Sequence, residues 1–188
     1  MTTDATPPDS LLEQTLAAAV RDRQTVTPEG ATIAPLLHGM SLHRSPTHTD
    51  DRGTLTEILD PRWGWHPDPI TYVYYMTERP GHAKGWGLHK EHEDRYFLIR
   101  GELELVTYDV RPDSPTRGQI CRLALSERDH FVVNIPAFVW HGSRNLGTSD
   151  AIVVNMPTKA FEHEDPDKYR LPIHSPLIPY SFGDTPGW

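Results

Sequence analysis

The stretch "GWGLHKEHEDRYFLIRGELELVTYDV", residues 85–110, gives the clearest indication of the fold class. Its later part consists of two runs of β-branched and aromatic residues that meet at Gly101, which suits a bend between two strands. In the second run Leu103 and Leu105 alternate with glutamates, the period of a strand that turns one face to a core and part of the other to water. The earlier part sets histidines and carboxylates directly before these strands.

Further strand-like runs flank this stretch. They are "TLTEIL" (54–59), "ITYVYYMT" (70–77), "QICRLALS" (119–126), "HFVVNIPA" (130–137) and "DAIVVNMP" (150–157). Short strands at even spacing without intervening helices are typical of a sandwich or a barrel. The 18 prolines among 188 residues fall between these runs, as turn and edge residues do. We therefore predict an all-β fold.

The two ends of the chain differ from this β-rich middle. Ser10 and Glu13 form a capping box before an apolar stripe, which predicts an accessory helix that covers one face of a sheet and ends by Pro28 and Gly30. The proline-rich C-terminal segment is too apolar for a solvated linker, so we expect it to pack on the barrel. The predicted organisation is an N-terminal tail and helix (1–30), one barrel domain (31–162) and a packed C-terminal tail (163–188).

Composition limits the partners of the protein. The chain has 18 lysines and arginines against 26 aspartates and glutamates, a formal net charge of -8, whereas nucleic-acid binding requires a basic surface. The sequence has neither a long apolar run nor a basic start followed by an apolar segment. We expect no nucleic acid, no membrane and a soluble, cytoplasmic protein. The single cysteine, Cys121, cannot form an internal disulfide, and we expect it to be buried.

Two spacings in the chain resemble the histidine motifs of the small β-barrels called cupins. In the first motif His89 stands five residues before Asp94, which stands seven before Gly101. In the second, "PAFVWHGSRN", His141 follows a proline by five residues and precedes an asparagine by four. The resemblance implies a cupin, a double-stranded β-helix or jelly-roll barrel. In that motif Gly87 takes the place of the first metal-binding histidine.

A narrower resemblance covers more of the chain. "DDRGTLTE" (50–57), "GLH" (87–89), "IRGELELVTYDVRPDSPTRG" (99–118) and "IPAFVWHG" (135–142) resemble the dTDP-4-dehydrorhamnose 3,5-epimerase family. The family comprises dimeric cupins without a metal or other cofactor that act on a nucleotide-linked 4-keto-6-deoxy sugar. The resemblance implies that His89 is the base and that Arg52 and Glu57 contact the nucleotide. These two residues could reach the nucleotide in their own pocket or, in a homodimer, the one in the pocket of the neighbouring subunit.

Several positions depart from that family's pattern. Trp86 stands where the family has arginine, and Glu91 where it has glutamine. Asp94 stands at the position of the enolate-stabilising lysine, so Arg95 is the nearest cation that could substitute. The catalytic tyrosine falls near Val154, and the aspartate partner of the base is not reproduced in the tail.

Proton abstraction next to a ketone needs a base, a donor for the enolate oxygen and an acid. We assign catalysis to His89, Arg95 and a tyrosine of "ITYVYYMT", with Tyr75 chosen over its neighbours Tyr72 and Tyr74. The predicted substrate-binding residues are Arg52, Glu57, Trp86, Glu91 and His141.

A metal site is the first alternative. Two histidines with one carboxylate can hold a divalent Fe, Mn, Ni or Zn ion with positions left open, and His89, Asp94 and His141 form such a set. His92 could be a fourth ligand or a solvated histidine. The second alternative is a non-catalytic cupin that binds a sugar or a nucleotide in the same pocket.

Overall fold

The structure, a computed structural model, describes residues 10–30, 33 and 35–187. The chain divides into two compact units, Met1–Ala34 and Pro35–Trp188. In the first, α1 spans Leu11–Ala18, and the side chain of Ser10 accepts a hydrogen bond from the main-chain N–H of Glu13. The helix ends at Ala18, well before the predicted end, and none of its residues is buried. A short helix without a buried face gains little from packing. Residues 1–9 of the predicted N-terminal tail lie outside the described residues.

The second unit is built from antiparallel strands. In chain order these are β1 (Ser41–Arg44), β2 (Thr47–Asp50), β3 (Gly53–Thr56), β4 (Tyr74–Glu78), β5 (Ala83–Leu88), β6 (Asp94–Arg100), β7 (Glu102–Asp109), β8 (Ile120–Ser126), β9 (Phe131–Ile135), β10 (Val139–Asn145), β11 (Ala151–Asn155) and β12 (Tyr169–Arg170), with a short 3-10 helix at Pro61–Trp63. One sheet has the order β1-β9-β6-β11-β4, a second has β12-β5-β10-β7-β8, and β2-β3 form a separate hairpin. This confirms the predicted all-β fold. Among the described residues no helix is long and apolar enough to cross a membrane.

The bend between β6 and β7 depends on Gly101. Its φ is +94°, in the left-handed region that favours glycine. A Cβ atom at this position would lie 3.0 Å from the Cα of Ala151 on the neighbouring strand. The structure therefore confirms the predicted bend and adds a steric reason for the missing side chain.

The middle of β7 is buried on both faces, so the part of the second face expected to meet water is limited to its half-buried ends, Glu102 and Tyr108. Leu103 and Leu105 are buried on one face, while Glu104 and Val106 are buried on the other. Val106 packs beneath the C-terminal tail. Glu104 is neutralised by Arg122 and by Arg144, whose Nη2 atoms lie 2.5 Å and 2.9 Å from its carboxylate.

The C-terminal tail covers the second sheet. Its buried residues Ile173, Ile178 and Phe182 form one core cluster with Trp86 and Val106. Burial of these apolar side chains is favourable enough to hold an irregular segment in place. This packing also carries the start of the tail to the mouth of the barrel, where β12 pairs with β5.

The stretch "YDVRPDSPTRG" ends β7 and forms the loop after it, and both Arg111 and Thr116 also hydrogen-bond to the main chain of His38. The fully buried carboxylate of Asp109 accepts hydrogen bonds from the side chains of Arg111, Ser114 and Thr116, at 2.8 Å, 2.5 Å and 2.7 Å for its Oδ2 atom. Although burial opposes it, these donors lower the pKa of Asp109 below its usual value. The stretch that carries much of the sequence resemblance thus has a structural role.

Candidate active site

Two strands of the second sheet bring the motif histidines together. On β5, Gly85, Gly87 and then His89 point to one side, because side chains alternate along a strand. His141 on β10 pairs in register with Gly87, and a Cβ atom at Gly87 would lie 3.3 Å from Nε2 of His141. The glycine therefore leaves the space that the imidazole needs.

Asp94, the first residue of β6, completes the group. Its Oδ2 atom lies 3.3 Å from Nε2 of His89 and 3.4 Å from Nε2 of His141. All three residues are buried, with exposed fractions of 6% for each histidine and 2% for Asp94. We call these three residues the His–Asp–His cluster. The structure thus assembles the three residues that the cupin spacing singled out.

Hydrogen bonds fix the orientation of both rings. Nδ1 of His89 donates to the main-chain carbonyl of Asp167, and Nδ1 of His141 donates to that of Val139 at 3.2 Å. A carbonyl only accepts, so in each neutral imidazole the proton is on Nδ1 and Nε2 presents a lone pair. Both Nε2 atoms lie within 3.4 Å of Oδ2 of Asp94, which is buried without a hydrogen-bond partner of its own.

The three groups shift one another's pKa values. Burial lowers the pKa of His141 to about 4, so this ring is neutral near pH 7. Burial also acts to lower the pKa of His89, but the contact with Asp94 outweighs it and raises that pKa above the ordinary histidine value. The same contacts keep Asp94 ionised by lowering its pKa against the effect of burial.

Asn155 on β11 links the cluster to a tyrosine. Its side-chain amide donates to Oδ1 of Asp94 at 2.7 Å and to the hydroxyl oxygen of Tyr74 at 2.8 Å. Burial, reinforced by the charge of Asp94, raises the pKa of Tyr74 to about 12. Tyr74 is therefore a neutral phenol near pH 7, and its hydroxyl hydrogen is not used by Asn155.

Asp167 holds the loop between β5 and β6 from the C-terminal tail. Its carboxylate accepts the main-chain N–H groups of Lys90 at 2.8 Å and Glu91 at 2.7 Å. Its Oδ2 atom also lies 2.9 Å from Nδ1 of His92. The ring of His92 packs on that of His89, with centroids 4.0 Å apart, and its Nε2 atom is 3.8 Å from Oδ1 of Asp94.

Two cavities meet at this cluster. The outer cavity has a volume of about 410 Å³, and its wall includes Tyr72, Tyr74, His89, His92, Lys168 and Arg170. The second cavity, which we call the inner cavity, is smaller, about 80 Å³, and its wall includes Gly87, Tyr96, His141, Ser143, Lys168 and Arg170. Lys168 and Arg170 line both cavities, so the cluster lies beside a mostly cationic boundary.

Residues 48–169 match the polysaccharide biosynthesis C-terminal domain family. The chain is also 30% identical over 139 residues to the probable low-salt glycan biosynthesis epimerase Agl13 of Haloferax volcanii, which covers 73% of this chain and 89% of that protein. The chain therefore belongs to the polysaccharide biosynthesis C-terminal domain family. The matched residues run from the β2-β3 hairpin to β12.

Solved structures confirm the cupin fold of this polysaccharide biosynthesis domain. The dTDP sugar isomerase of Desulfovibrio desulfuricans G20 superposes with a TM-score of 0.73 at 24% identity, over 80% of this chain and 94% of that one. A dTDP-4-dehydrorhamnose 3,5-epimerase from Sulfolobus tokodaii superposes with a TM-score of 0.63 at 24% identity, over 71% and 77%. The fold predicted from the epimerase resemblance is therefore correct.

Arg95 does not line either cavity of the polysaccharide biosynthesis domain, which corrects its assignment as a catalytic cation. Its fully buried guanidinium donates to the carbonyls of Met156 at 2.6 Å, Asp68 at 2.8 Å and Pro69 at 2.8 Å. Strand alternation explains the error, because Asp94 and Tyr96 on β6 point into the barrel while the residue between them points out.

Tyr75 and Trp86 are also placed away from the cavities. The side chain of Tyr75 is 69% exposed, and its neighbour Tyr74 faces the cavity instead. Trp86 is fully buried in the core beneath the tail, where its Nε1 donates to the carbonyl of Ile173 at 3.3 Å. Tyr75 is thus not placed to act as the acid, and Trp86 is a core residue instead of a wall for the substrate.

The other predicted contacts lie at the edge of the site or beyond it. Glu91 is exposed and forms an ion pair with Lys159, which lines the outer cavity. Arg52 lies in the β2-β3 hairpin, 85% exposed and paired with Asp50 at 2.5 Å, and Glu57 is exposed directly after that hairpin. A contribution of these two residues to the pocket of a neighbouring subunit stays a prediction.

Asp167, Lys168 and Arg170 were not among the predicted site residues, because the whole tail was predicted to pack on the barrel. The available signal was the polar run "DPDKYR" at 165–170, in which Lys168 and Arg170 are two residues apart, as on one face of a strand. Nothing in the sequence pairs this run with His89, because the hydrogen bond between them spans 78 residues.

Proposed function

We propose that the chain is a nucleotide-sugar epimerase or isomerase that removes a proton next to the ketone of a dTDP-4-keto-6-deoxyhexose. One observation carries the proposal: a buried histidine at the wall of a large cavity holds one ring nitrogen on a main-chain carbonyl and the other beside a carboxylate. The carbonyl orients the ring, and the carboxylate favours its protonated form, so the imidazole is suited to accept a proton. The epimerase relative Agl13 and the dTDP-sugar enzymes of the same fold support the substrate class.

His89 acts as the base through Nε2. The carbonyl of Asp167 keeps the hydrogen on Nδ1, so Nε2 has the free lone pair. The proton removed from the sugar carbon arrives on Nε2, which lies 3.3 Å from Oδ2 of Asp94, and the carboxylate stabilises the imidazolium ion. Asp94 thereby makes His89 a stronger base, in agreement with its raised pKa.

Tyr74 supplies the proton to the opposite face of the carbon. Its phenol is protonated near pH 7, and Asn155 holds its oxygen while leaving its hydrogen available. The hydrogen bonds of Asn155 tie this acid to Asp94 and hence to the base. Exchange at one carbon gives an isomerase or a single-site epimerase, and exchange at two gives a 3,5-epimerase.

The outer cavity receives the sugar and the diphosphate. A guanidinium group matches phosphate oxygens with parallel hydrogen bonds, and Arg170 lines this cavity together with Lys159. In a homodimer Arg52 and Glu57 of the exposed hairpin extend the site to the nucleotide of the neighbouring subunit.

Proton NMR in deuterated buffer tests the proposal. Chelator-treated protein is mixed with dTDP-4-keto-6-deoxyglucose, and the C3 and C5 hydrogens are followed against a protein-free control. Loss of either signal above the control rate is the expected result. Absence of exchange both in this sample and after addition of a divalent metal would contradict the proposal, and tight dTDP binding in the same samples would then assign the chain to the non-catalytic binding alternative.

A divalent metal is the second candidate, and the His–Asp–His cluster favours it. Three acceptor atoms converge there: Nε2 of His89, Nε2 of His141 and Oδ2 of Asp94. In the neutral rings neither Nε2 atom carries a hydrogen, and Oδ2 has no hydrogen-bond partner. Their separations of 3.3 Å and 3.4 Å agree with the edge of about 3.3 Å of a tetrahedron with metal–ligand bonds of ~2.05 Å. His89, Asp94 and His141 would hold the ion, which would polarise the sugar carbonyl as a Lewis acid.

The two candidates make opposite predictions because both use Nε2 of His89. If the atom is the base, Zn²⁺ added to chelator-treated protein inhibits exchange. If it is a metal ligand, Zn²⁺, Fe²⁺, Mn²⁺ or Ni²⁺ restores exchange, and calorimetry shows one site per chain that Asp94→Asn removes. Metal analysis of protein purified without chelator gives the native occupancy.

A further inference from the structure

Lys168 directly precedes β12, an edge strand of the second sheet. In β12, Tyr169 pairs with Leu88 and Arg170 pairs with Gly87, so the tail runs alongside the strand that leads to His89. Arg170 ends this short strand, and both Lys168 and Arg170 line both cavities. Lys168 therefore lies on the wall that the two cavities share.

The ammonium group of Lys168 has no hydrogen bond or ion pair within the part of the chain that the structure describes. The other lysine of the outer cavity, Lys159, is paired with Glu91. Lys168 is an exposed residue, although the protein atoms around its ammonium group and the charge of Arg170 lower the pKa of that group. An ammonium group that has no partner among the described residues and lies in the walls of both cavities can donate to a ligand that carries or develops negative charge.

The negative charge belongs near the His–Asp–His cluster and not only at the cavity mouth. Lys168 lines the inner cavity together with His141, and the charge of Asp94 acts on its ammonium group. The substrate atom that becomes negative beside the base is the oxygen of the ketone.

We propose that Lys168 is a catalytic residue whose ammonium group donates a hydrogen bond to the ketone oxygen and stabilises the enolate. The inference rests on the proposed function. As Nε2 of His89 takes the proton, the C–H bond breaks, its electron pair forms the carbon–carbon double bond, and the carbonyl π electrons move to the oxygen beside Lys168. When the carbon takes a proton from Tyr74, these electrons return and the ketone forms again.

Lys168→Gln tests this role with Lys90→Gln as the matched control. Lys90 belongs to the same tail contact, but its ammonium group lies over the ring of Tyr169, 4.2 Å from the centroid, outside the cavities. Two quantities are measured for each variant: the exchange rate at saturating substrate and the Kd for dTDP. Removing one donor to a developing oxyanion costs about 100-fold or more in rate.

We expect Lys168→Gln to lose about 100-fold in saturating exchange while its Kd for dTDP stays within about threefold. Lys168→Arg keeps the charge and is expected to retain more activity than the glutamine variant, and Lys90→Gln to match the wild type. Wild-type exchange by Lys168→Gln would overturn the inference. A weaker Kd with an unchanged saturating rate would also overturn it, because Lys168 would then be a phosphate contact.

A chemical rescue covers the case in which Lys168→Gln does not fold. Lys168→Cys is alkylated with 2-bromoethylamine, which restores an ammonium group, while the native Cys121 is buried. Recovery of exchange on alkylation supports the inference, and alkylated, folded protein without recovery contradicts it. If the wild type itself shows no exchange, the proposed function fails; if the wild type exchanges and Lys168→Gln does so equally, only the role of Lys168 fails.

Discussion

Nε2 of His89 lies 3.3 Å from Oδ2 of Asp94, at the two ends of the loop that joins β5 to β6. Asp167 clamps this loop through its carbonyl and its carboxylate. The base and the group that sets its strength are therefore positioned by the same short segment, and a change at Asp94 acts directly on the proton affinity of His89.

Asp94→Asn is expected to lower the pKa of His89, because it removes the charge that raises it. A base works in its unprotonated form, so exchange in the chelator-treated wild type rises with pH through a pKa above the ordinary histidine value. In the variant this rise moves to lower pH. NMR titration of the His89 ring gives the pKa independently. An unchanged pKa in the variant would contradict the claim that the charge of Asp94 raises the pKa of His89.

Glu78 gives a prediction about stability. Its carboxyl group is buried, with Oε2 accepting from Ser143 at 2.6 Å and Oε1 without a partner, and burial raises its pKa from 4.5 to about 7. Between these values the folded state holds a proton that the unfolded state has lost, so the free energy of unfolding falls as pH rises. In urea unfolding, the wild type is expected to show this fall, which is on the order of 3 kcal/mol, and Glu78→Gln is expected to lack it. Parallel curves of unfolding free energy against pH for the two proteins would contradict the raised pKa of Glu78.

Gly101→Ala separates backbone strain from a steric clash. The added methyl group would meet the Cα of Ala151 at 3.0 Å, whereas Gly118 has a similar positive φ of +79° and nothing within 4 Å. We expect Gly118→Ala to cost about 1 kcal/mol of unfolding free energy and Gly101→Ala roughly 2–3 kcal/mol. Equal losses in urea unfolding would show that the β6-β7 bend relaxes around the methyl group.

Arg95→Lys is expected to reduce stability and to leave catalysis largely intact. A lysine cannot reach the separate carbonyls of Asp68, Pro69 and Met156 that the guanidinium contacts, and each lost charge-assisted hydrogen bond costs about 1.5–3 kcal/mol. The unfolding midpoint should fall while exchange per folded molecule stays within a few fold. A variant of wild-type stability that has lost exchange would restore Arg95 to the catalytic residues.

The sequence predicted the parts of the site that lie close together along the chain. His89, Asp94 and Gly101 belong to one strand–loop–strand unit, so their spacing alone places them, and His141 follows from a second local motif. The errors came from side-chain direction. Arg95 and Tyr75 each sit beside a residue that faces the cavity, and a shift of one position along a strand moves a side chain to the opposite face.

Other features could not be found from local patterns. Strands β5 and β10 carry glycines and polar residues in place of the apolar alternation that identifies strands, because they line the cavities. Asp167 and Lys168 reach the site only because buried residues such as Ile173 and Phe182 fix the tail on the barrel. Trp86 beside a site histidine belongs to that same core. These contacts join distant segments, and only the folded chain reveals them.

The role of His89 is tested most directly by the rate at which deuterium enters the sugar. Chelator-treated wild type, His89→Gln and the surface control His174→Gln are compared at saturating dTDP-4-keto-6-deoxyglucose, with folding checked by thermal unfolding. We expect exchange at C3 or C5 to fall by about 100-fold or more in His89→Gln and to be unchanged in His174→Gln. Exchange by folded His89→Gln at the wild-type rate would contradict His89 as the base.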